Sequence, residues 1–353
     1  MQKVRLGLKT KRFHAFESAA QEHLTEYLFC DIAEIDYEAE PAAHRRALVS
    51  FVDRLRQQVI LSALLDRPSR RDALRRVMLD ISANIKGETL ARLIFAFDQL
   101  GFVGDEIRNT SSAKWWIRAS ACRNLRVMHS DQASEALVHR LDDENEDVRI
   151  EAAQTLVDTI GVYALSPILL TIKQISPWME VRLSQSILRF GTEAVPHLAK
   201  GMKSESTRVQ RFCVQMLGEI GEVYAVAIIL EYIDYEQPDV QNESLIALGK
   251  LGDERAIPII LKYAGSNSER LRISAAKALG SLSSPATADV LNKLLAKDTV
   301  DVRLAAAEAL TKLGDVGIRT LEYSSRMNDP EVRLVAYQFL HEIGRAMPGM
   351  PMQ

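Results

Sequence analysis

From residue 113 to residue 345 the apolar positions recur with a helical period, and the helices they mark recur in turn. Asp147-Val-Arg149 opens the segment DVRIEAAQTL, Glu180-Val-Arg182 opens EVRLSQSILRFG, Arg208-Val-Gln210 opens RVQRFCVQMLGEIG, and Asp239-Val-Gln241 opens DVQNESLIALGKLG. RLRISAAKALGSL follows from Arg270, DVRLAAAEALTKLG from Asp301 and EVRLVAYQFLHEIG from Glu331, and a weaker copy, WIRASACRNL, starts at Trp116. The residue after the shared apolar position is Arg118, Arg149, Arg182, Gln210, Gln241, Arg272, Arg303 and Arg333, at steps of 31, 33, 28, 31, 31, 31 and 30. About eight copies at so even a step describe an array of helical hairpins, each too small to bury its apolar face alone and completed by its neighbours.

The pattern has a physical reading. In the copy from Asp301, the residues Val302, Ala306, Ala309, Leu310 and Leu313 form one apolar stripe, and its small alanines let neighbouring helices approach. The acids Asp147, Glu180, Asp301 and Glu331 are expected to cap the second helix of each hairpin and complement its dipole. Glycines at 191, 221, 252, 314 and 344 are expected to end it, where a left-handed residue costs least. First helices such as Ala256-Ile-Pro-Ile-Ile-Leu261 and Ala194-Val-Pro-His-Leu198 carry Pro167, Pro196 and Pro258 near their starts, where a missing amide hydrogen does little harm. The expected fold is all-α, an α-α superhelix.

Upstream, residues 42–112 also have helical periodicity but lack the motif, and they are expected to form a divergent N-terminal helical cap that covers the first repeat. Residues 1–41 are read as a first helix followed by the acidic linker Asp31–Pro41, and residues 346–353 as a disordered tail.

Composition narrows the function classes. The chain has 353 residues, 47% of them hydrophobic and 6% aromatic, and its net charge is −3. That balance does not favour nucleic acid as the main partner. Cys30, Cys122 and Cys213 stand far apart in helical contexts, which argues against a disulfide framework or zinc site and for a reducing, cytoplasmic setting. No continuous apolar run has the length of a membrane span. The basic N-terminus, with Lys3, Arg5, Lys9, Lys11 and Arg12, is read first as a solvated helix face. Its alternative is a contact with the cytoplasmic face of a membrane.

With D/E-x-V-R-x-x-A-A-x-A-L-x-x-L-G repeated over residues 113–345, the chain resembles HEAT-repeat proteins, in particular the short HEAT-like repeats of phycobilisome bilin lyases. The resemblance implies a helical-repeat solenoid. Gln210 and Gln241 depart from the motif, and the copy from Trp116 lacks its acid. Bilin chemistry does not transfer with the repeat, because fold does not imply function. A hydroxylase with similar repeats, deoxyhypusine hydroxylase, holds iron through several His-Glu dipeptides; here His341-Glu342 is the single one. No metal, cofactor or catalytic group is expected.

Three sets of residues remain as candidates. Trp115, Trp116, Arg118, Arg123 and Arg126, with the cluster Arg67, Arg70, Arg71, Arg75 and Arg76, mix aromatics with cations as nucleic-acid grooves do. The alternative is that the tryptophans seal the junction of cap and array. The repeat arginines Arg118, Arg149, Arg182, Arg272, Arg303 and Arg333 are read as structural, paired with acids such as Asp147, Glu180, Asp301 and Glu331. Finally, positions one, four, five and eight after each repeat arginine are expected to line the concave groove: Ile150, Gln154, Val157, Leu183, Ile187, Phe190, Gln215, Ile246, Leu304, Leu334 and Tyr337. An apolar groove of this kind points to a protein partner. The alternative is that some of these positions are core. The expected function is a non-catalytic scaffold or adaptor, with a nucleic-acid-binding HEAT-like protein as the competing reading.

Overall fold

A computed structural model describes residues 68–345, apart from 235–236, together with Ser18, Gln21 and Leu24. The remaining positions of 1–67, including the acidic linker, the basic N-terminus and Cys30, lie outside the described residues, as does the 346–353 tail. Among the described residues every regular element is a helix.

The chain divides into two compact units at Gly161, inside the array. The first holds α1 (Pro68–Ser82), α2 (Gly87–Gln99), α3 (Phe102–Asn109), α4 (Trp115–Val127), α5 (Ser134–Arg140) and α6 (Glu146–Ile160). Its core contains Met78, Leu93, Phe97, Phe102, Leu125, Leu137 and Leu156. Arg71 and Arg75 of α1 pair with Asp105 and Glu106 of α3, and Arg71 also stacks 4.6 Å from the Phe102 ring. The basic cluster read from the sequence is therefore partly neutralised by its own unit.

The second unit holds α7 (Leu165–Thr171), α8 (Pro177–Phe190), α9 (Val195–Gly201), α10 (Thr207–Ile220), α11 (Ala225–Tyr232), α12 (Pro238–Leu251), α13 (Ile257–Ala264), α14 (Glu269–Leu282), α15 (Ala288–Lys297), α16 (Val300–Lys312), α17 (Asp315–Ser324) and α18 (Pro330–Glu342). Even-numbered helices from α4 onward are the second helices of successive hairpins. Pro167, Pro196 and Pro258 do fall in the first turns of α7, α9 and α13.

The segment Glu146–Thr171 has the length of a membrane span, and 18 consecutive residues in it have a mean hydropathy of 1.3. It consists of α6 and α7 interrupted at Gly161, whose φ is +61°.

The second helices start more regularly than the sequence motif suggested. Their N-caps are Lys114, Asn145, Ser176, Ser206, Gln237, Ser268, Thr299 and Asp329, at steps of 31, 31, 30, 31, 31, 31 and 30. Asn145, Ser176 and Asp329 accept backbone N–H bonds from Asp147, Met179 and Glu331. The caps are thus two residues or more upstream of the acids expected to serve, and those acids sit in or beside the first turn, where they complement the dipole. At the third position after the cap, Val148, Met179, Val209, Val240, Leu271, Val302 and Val332 are all buried.

This spacing changes the register at one hairpin. In α8 the motif look-alike Glu180-Val-Arg182 stands two residues late, and Met179-Glu180 occupies the true position. The uneven steps of 33 and 28 were the trace of that slip.

Close packing in the second unit rests on small residues. A Cβ on Gly218 would lie 2.9 Å from Ala247, one on Gly249 2.9 Å from Ala278, and one on Gly280 2.7 Å from Ala309. Glycine at the twelfth position after one cap thus meets alanine at the tenth after the next, drawing α10, α12, α14 and α16 together. At the equivalent positions α16 and α18 present Thr311 and Phe339, while α8 and α10 present Leu188 and Met216. Those two pairs touch along much less of their length, and they lack the small residues that let backbones meet closely.

Candidate protein-binding face

At about 100° per residue, the second, fifth, ninth and thirteenth residues after a cap form one stripe along a helix. In the second unit this stripe faces solvent on helix after helix: Arg208, Arg211, Gln215 and Glu219 on α10, then Arg270, Ile273, Lys277 and Ser281 on α14, then Asp301, Leu304, Glu308 and Lys312 on α16. On α12 it is Asp239, Ile246 and Lys250, with Glu243 at the sixth position.

The face is mixed rather than apolar as expected. Ion pairs cross it from hairpin to hairpin, with Arg208 2.8 Å from Glu180, Lys250 2.6 Å from Glu219 and Arg270 2.5 Å from Asp239. Burial raises the Glu243 carboxyl pKa even though Arg211, Lys250 and Arg270 oppose the shift.

The expected groove residues divide accordingly. Ile246 and Leu334 are exposed, the latter at 69%, while Leu304, Gln215, Phe190 and Tyr337 are half-buried. In the first unit, half-buried Gln154 accepts a hydrogen bond from Arg126.

Ile150, Val157, Leu183 and Ile187 are buried and belong to the core. Val157 stands twelve residues after its cap, the position that the buried Gly218, Gly249 and Gly280 hold in the second unit. Ile150 holds the fifth position after its cap, and there it is buried, with Glu151 beside it only partly exposed. Leu183 and Ile187 were misplaced by the two-residue slip, which carries a side chain about 200° around the helix.

Where α18 splays from α16, a cleft of about 440 Å³ opens. Ile273, Leu304, Ala305 and Phe339 supply its apolar wall, and Lys277, Asp301, Glu308 and Gln338 its polar rim. Glu308 is paired with Lys312 at 2.9 Å. Leu334 stands beside this cleft on α18, at the fifth position after the cap.

Sequence reasoning missed the exposed row on α8. Trp178 (56%), Val181 (50%) and Leu188 (51%) lie open to solvent, as do Arg182, Gln185 and Arg189. The Arg182 guanidinium lies 5.3 Å from the Trp178 ring. Ser176-Pro177 at the helix start and Gly191 after its end were the signals that would have set the register and revealed this row.

The repeat arginines are structural with one exception. Arg118 is buried, donates to both Asp143 oxygens at 2.8 and 2.7 Å, and reaches the Ser112 carbonyl oxygen. Arg272 does the same with Asp298, at 2.8 and 2.7 Å, and with the Ser266 carbonyl. Arg303 bonds the Asp298 carbonyl and reaches Asp329 and Glu331, while Arg149 and Arg333 bond loop carbonyls.

Each of these arginines ties its helix to its own entry loop, and Arg118, Arg272 and Arg303 also hold the next hairpin's entry. Of the acids expected, only Glu331 serves a repeat arginine: Asp147 and Asp301 do not, and Glu180 pairs with Arg208 and Arg211. Arg182 is the exception, exposed because Glu180 holds its slot. Burial alone would raise the Asp143 and Asp298 carboxyls, but Arg118 and Arg272, with backbone N–H groups, hold both below the usual carboxylate range.

Trp115 and Trp116 are exposed rather than sealing a junction. Arg123 and Arg126 bind Glu151 at 2.6 and 3.4 Å. Burial pushes the Cys122 thiol up to about 12 and the Cys213 thiol higher still. Ser166 Oγ lies 2.7 Å from His197 Nδ1, joining α7 to α9, and the ring packs edge-on against Tyr163. No group of three potential metal ligands gathers among the described residues.

A HEAT-repeat family model matches residues 195–270 and 236–311. No curated protein sequence matches the chain. Solved structures do. Importin beta aligns at 13% identity and a TM-score of 0.44, covering 99% of this chain and 55% of that one. The CpcE–CpcF complex of a Nostoc phycocyanin lyase aligns at 19% and 0.30, covering 68% and 94%. Human deoxyhypusine hydroxylase aligns at 17% and 0.30, covering 85% and 100%. The chain carries HEAT repeats, matched directly over 195–311 and continued by the same cap-to-cap spacing from Lys114 to the last helix.

Proposed function

We propose that this chain is a non-catalytic scaffold that holds a protein segment on the solvent-facing side of its second helices, in the cleft between α16 and α18. HEAT-repeat stacks commonly serve as protein-interaction scaffolds. The observation that carries the reading is the cleft itself, an apolar wall of Ile273, Leu304 and Phe339 beside the exposed Leu334, with a charged rim. Apolar anchors in a pocket, surrounded by polar groups, are the usual energetic centre of a protein interface.

The nucleic-acid reading is less well supported. The arginines beside Trp115 and Trp116 that would hold phosphate are committed to Asp143 and Glu151. Photo-crosslinking from position 334 in cells, followed by mass spectrometry, tests the proposal. One protein captured through a defined segment, and lost in Leu304→Asp, supports it; crosslinks to nucleic acid, or none above background, refute it.

A further inference from the structure

We infer that α8 forms a second docking seam, and that its partner is an amphipathic helix whose apolar stripe is flanked by carboxylates. Trp178, Val181, Gln185 and Leu188 follow one another at three, four and three residues along one exposed face. That alternation is the spacing with which two helices interlock side chains. At the equivalent places α12 shows Asp239, Asn242, Ile246 and Gly249, and α10 shows Arg208, Arg211, Gln215 and Gly218, so the apolar row is particular to α8.

Charge selects the partner. Arg182 and Arg189 flank the row and are exposed, and no carboxylate among the described residues pairs with either. On the adjoining α10, Arg208 and Arg211 share one acid, Glu180, at 2.8 and 3.6 Å. Four guanidinium groups against Glu180, with Glu243 near Arg211, leave the seam positive within a chain whose net charge is −3. Acidic residues beside a partner's apolar stripe would satisfy these cations, while a basic helix would be repelled. Phosphodiester backbones would answer the charge but not the three apolar side chains.

The full-length chain is titrated with two labelled peptides of about three heptads, both with leucine at the apolar positions, one flanked by glutamate and the other by lysine, and with a single-stranded oligonucleotide. The acidic peptide is expected to bind, more weakly as salt rises. Arg182→Glu with Arg189→Glu should shift preference to the lysine peptide by about tenfold or more. That gain also shows that the variant folds. Val181→Asp should abolish binding of both peptides.

The inference is overturned if the acidic peptide does not bind, or if the charge reversal leaves the preference unchanged. It is equally overturned if the oligonucleotide binds in place of the peptide, or if sedimentation shows the seam buried in a dimer of this chain that Val181→Asp dissociates. None of these outcomes bears on the α16–α18 cleft, because the substitutions lie on α8.

Discussion

The arginine after the shared apolar residue carries the most information of any single position in the repeat. At Arg118 and Arg272 one planar guanidinium is held bidentate by an acid of the next entry loop and also bonds carbonyls of its own loop, a geometry that lysine does not reproduce. Both members of the Arg118–Asp143 pair are nearly buried. Asp143→Ala therefore leaves the buried cation with only the exposed Glu144 carboxylate at 3.1 Å, and it is expected to lower unfolding free energy by about 3 kcal/mol in a urea titration.

The pH dependence has a definite sign. Asp143 and Asp298 have carboxyl pKa values below those of the unfolded chain. Their contribution is complete above the unfolded value of about 3.9 and is lost as pH falls through the folded values. Stability measured from neutral pH downward should hold until that range and then drop, and Asp143→Asn with Asp298→Asn should flatten the fall.

At the scale of one helix, beginning and end are set by local chemistry. The second helices end on residues with positive φ, mostly glycine, but the corresponding place after α14 holds Ser283, at φ +52°. An L-residue there costs about 1 kcal/mol. Ser283→Gly is accordingly expected to raise the melting temperature, even though the Ser283 hydroxyl bond to the Gly280 carbonyl is lost.

Gly280 has the opposite requirement. Its added Cβ would sit 2.7 Å from the Ala309 Cα, so Gly280→Ala forces two backbones apart. The gain in helix propensity, about 1 kcal/mol, is outweighed by overpacking of about 1–3 kcal/mol, because the obstructing atom is backbone. Calorimetry should show a lower melting temperature for this variant.

Across the second unit, the same small-residue contacts that close the stack also decide where it opens. Glycine against alanine brings α10 through α16 together, and Phe339 in place of alanine holds α18 away, leaving the cleft. Phe339→Ala should let α18 settle on α16, raising stability if the gap closes and weakening partner capture. A fall in stability with no loss of capture would show that the cleft is incidental. Leu334→Asp, on an exposed side chain, should leave the melting curve unchanged and abolish capture, whereas Ile187→Asp should unfold the unit by burying a charge.

Much of this was legible along the chain. The apolar period, the even spacing and the glycine stops fixed an all-helical array of short hairpins, and the arginines other than Arg182 were recognisable as structural from their recurrence. What the chain left open was which side of each helix meets water. In α8 both Met179 and Val181 are apolar, both begin an amphipathic pattern, and Glu180-Val-Arg182 imitates the motif, so the two registers are equally good one-dimensional sequences.

The structure separates them because burial belongs to a pair of surfaces. A side chain is core only where a neighbouring helix comes close enough to cover it, and that distance is set by residues on the neighbour, about thirty positions away in the chain. Local hydrogen bonding and periodicity therefore determined the helices, while packing between hairpins alone decided that Leu183 and Ile187 lie inside and that Trp178, Val181 and Leu188 face out.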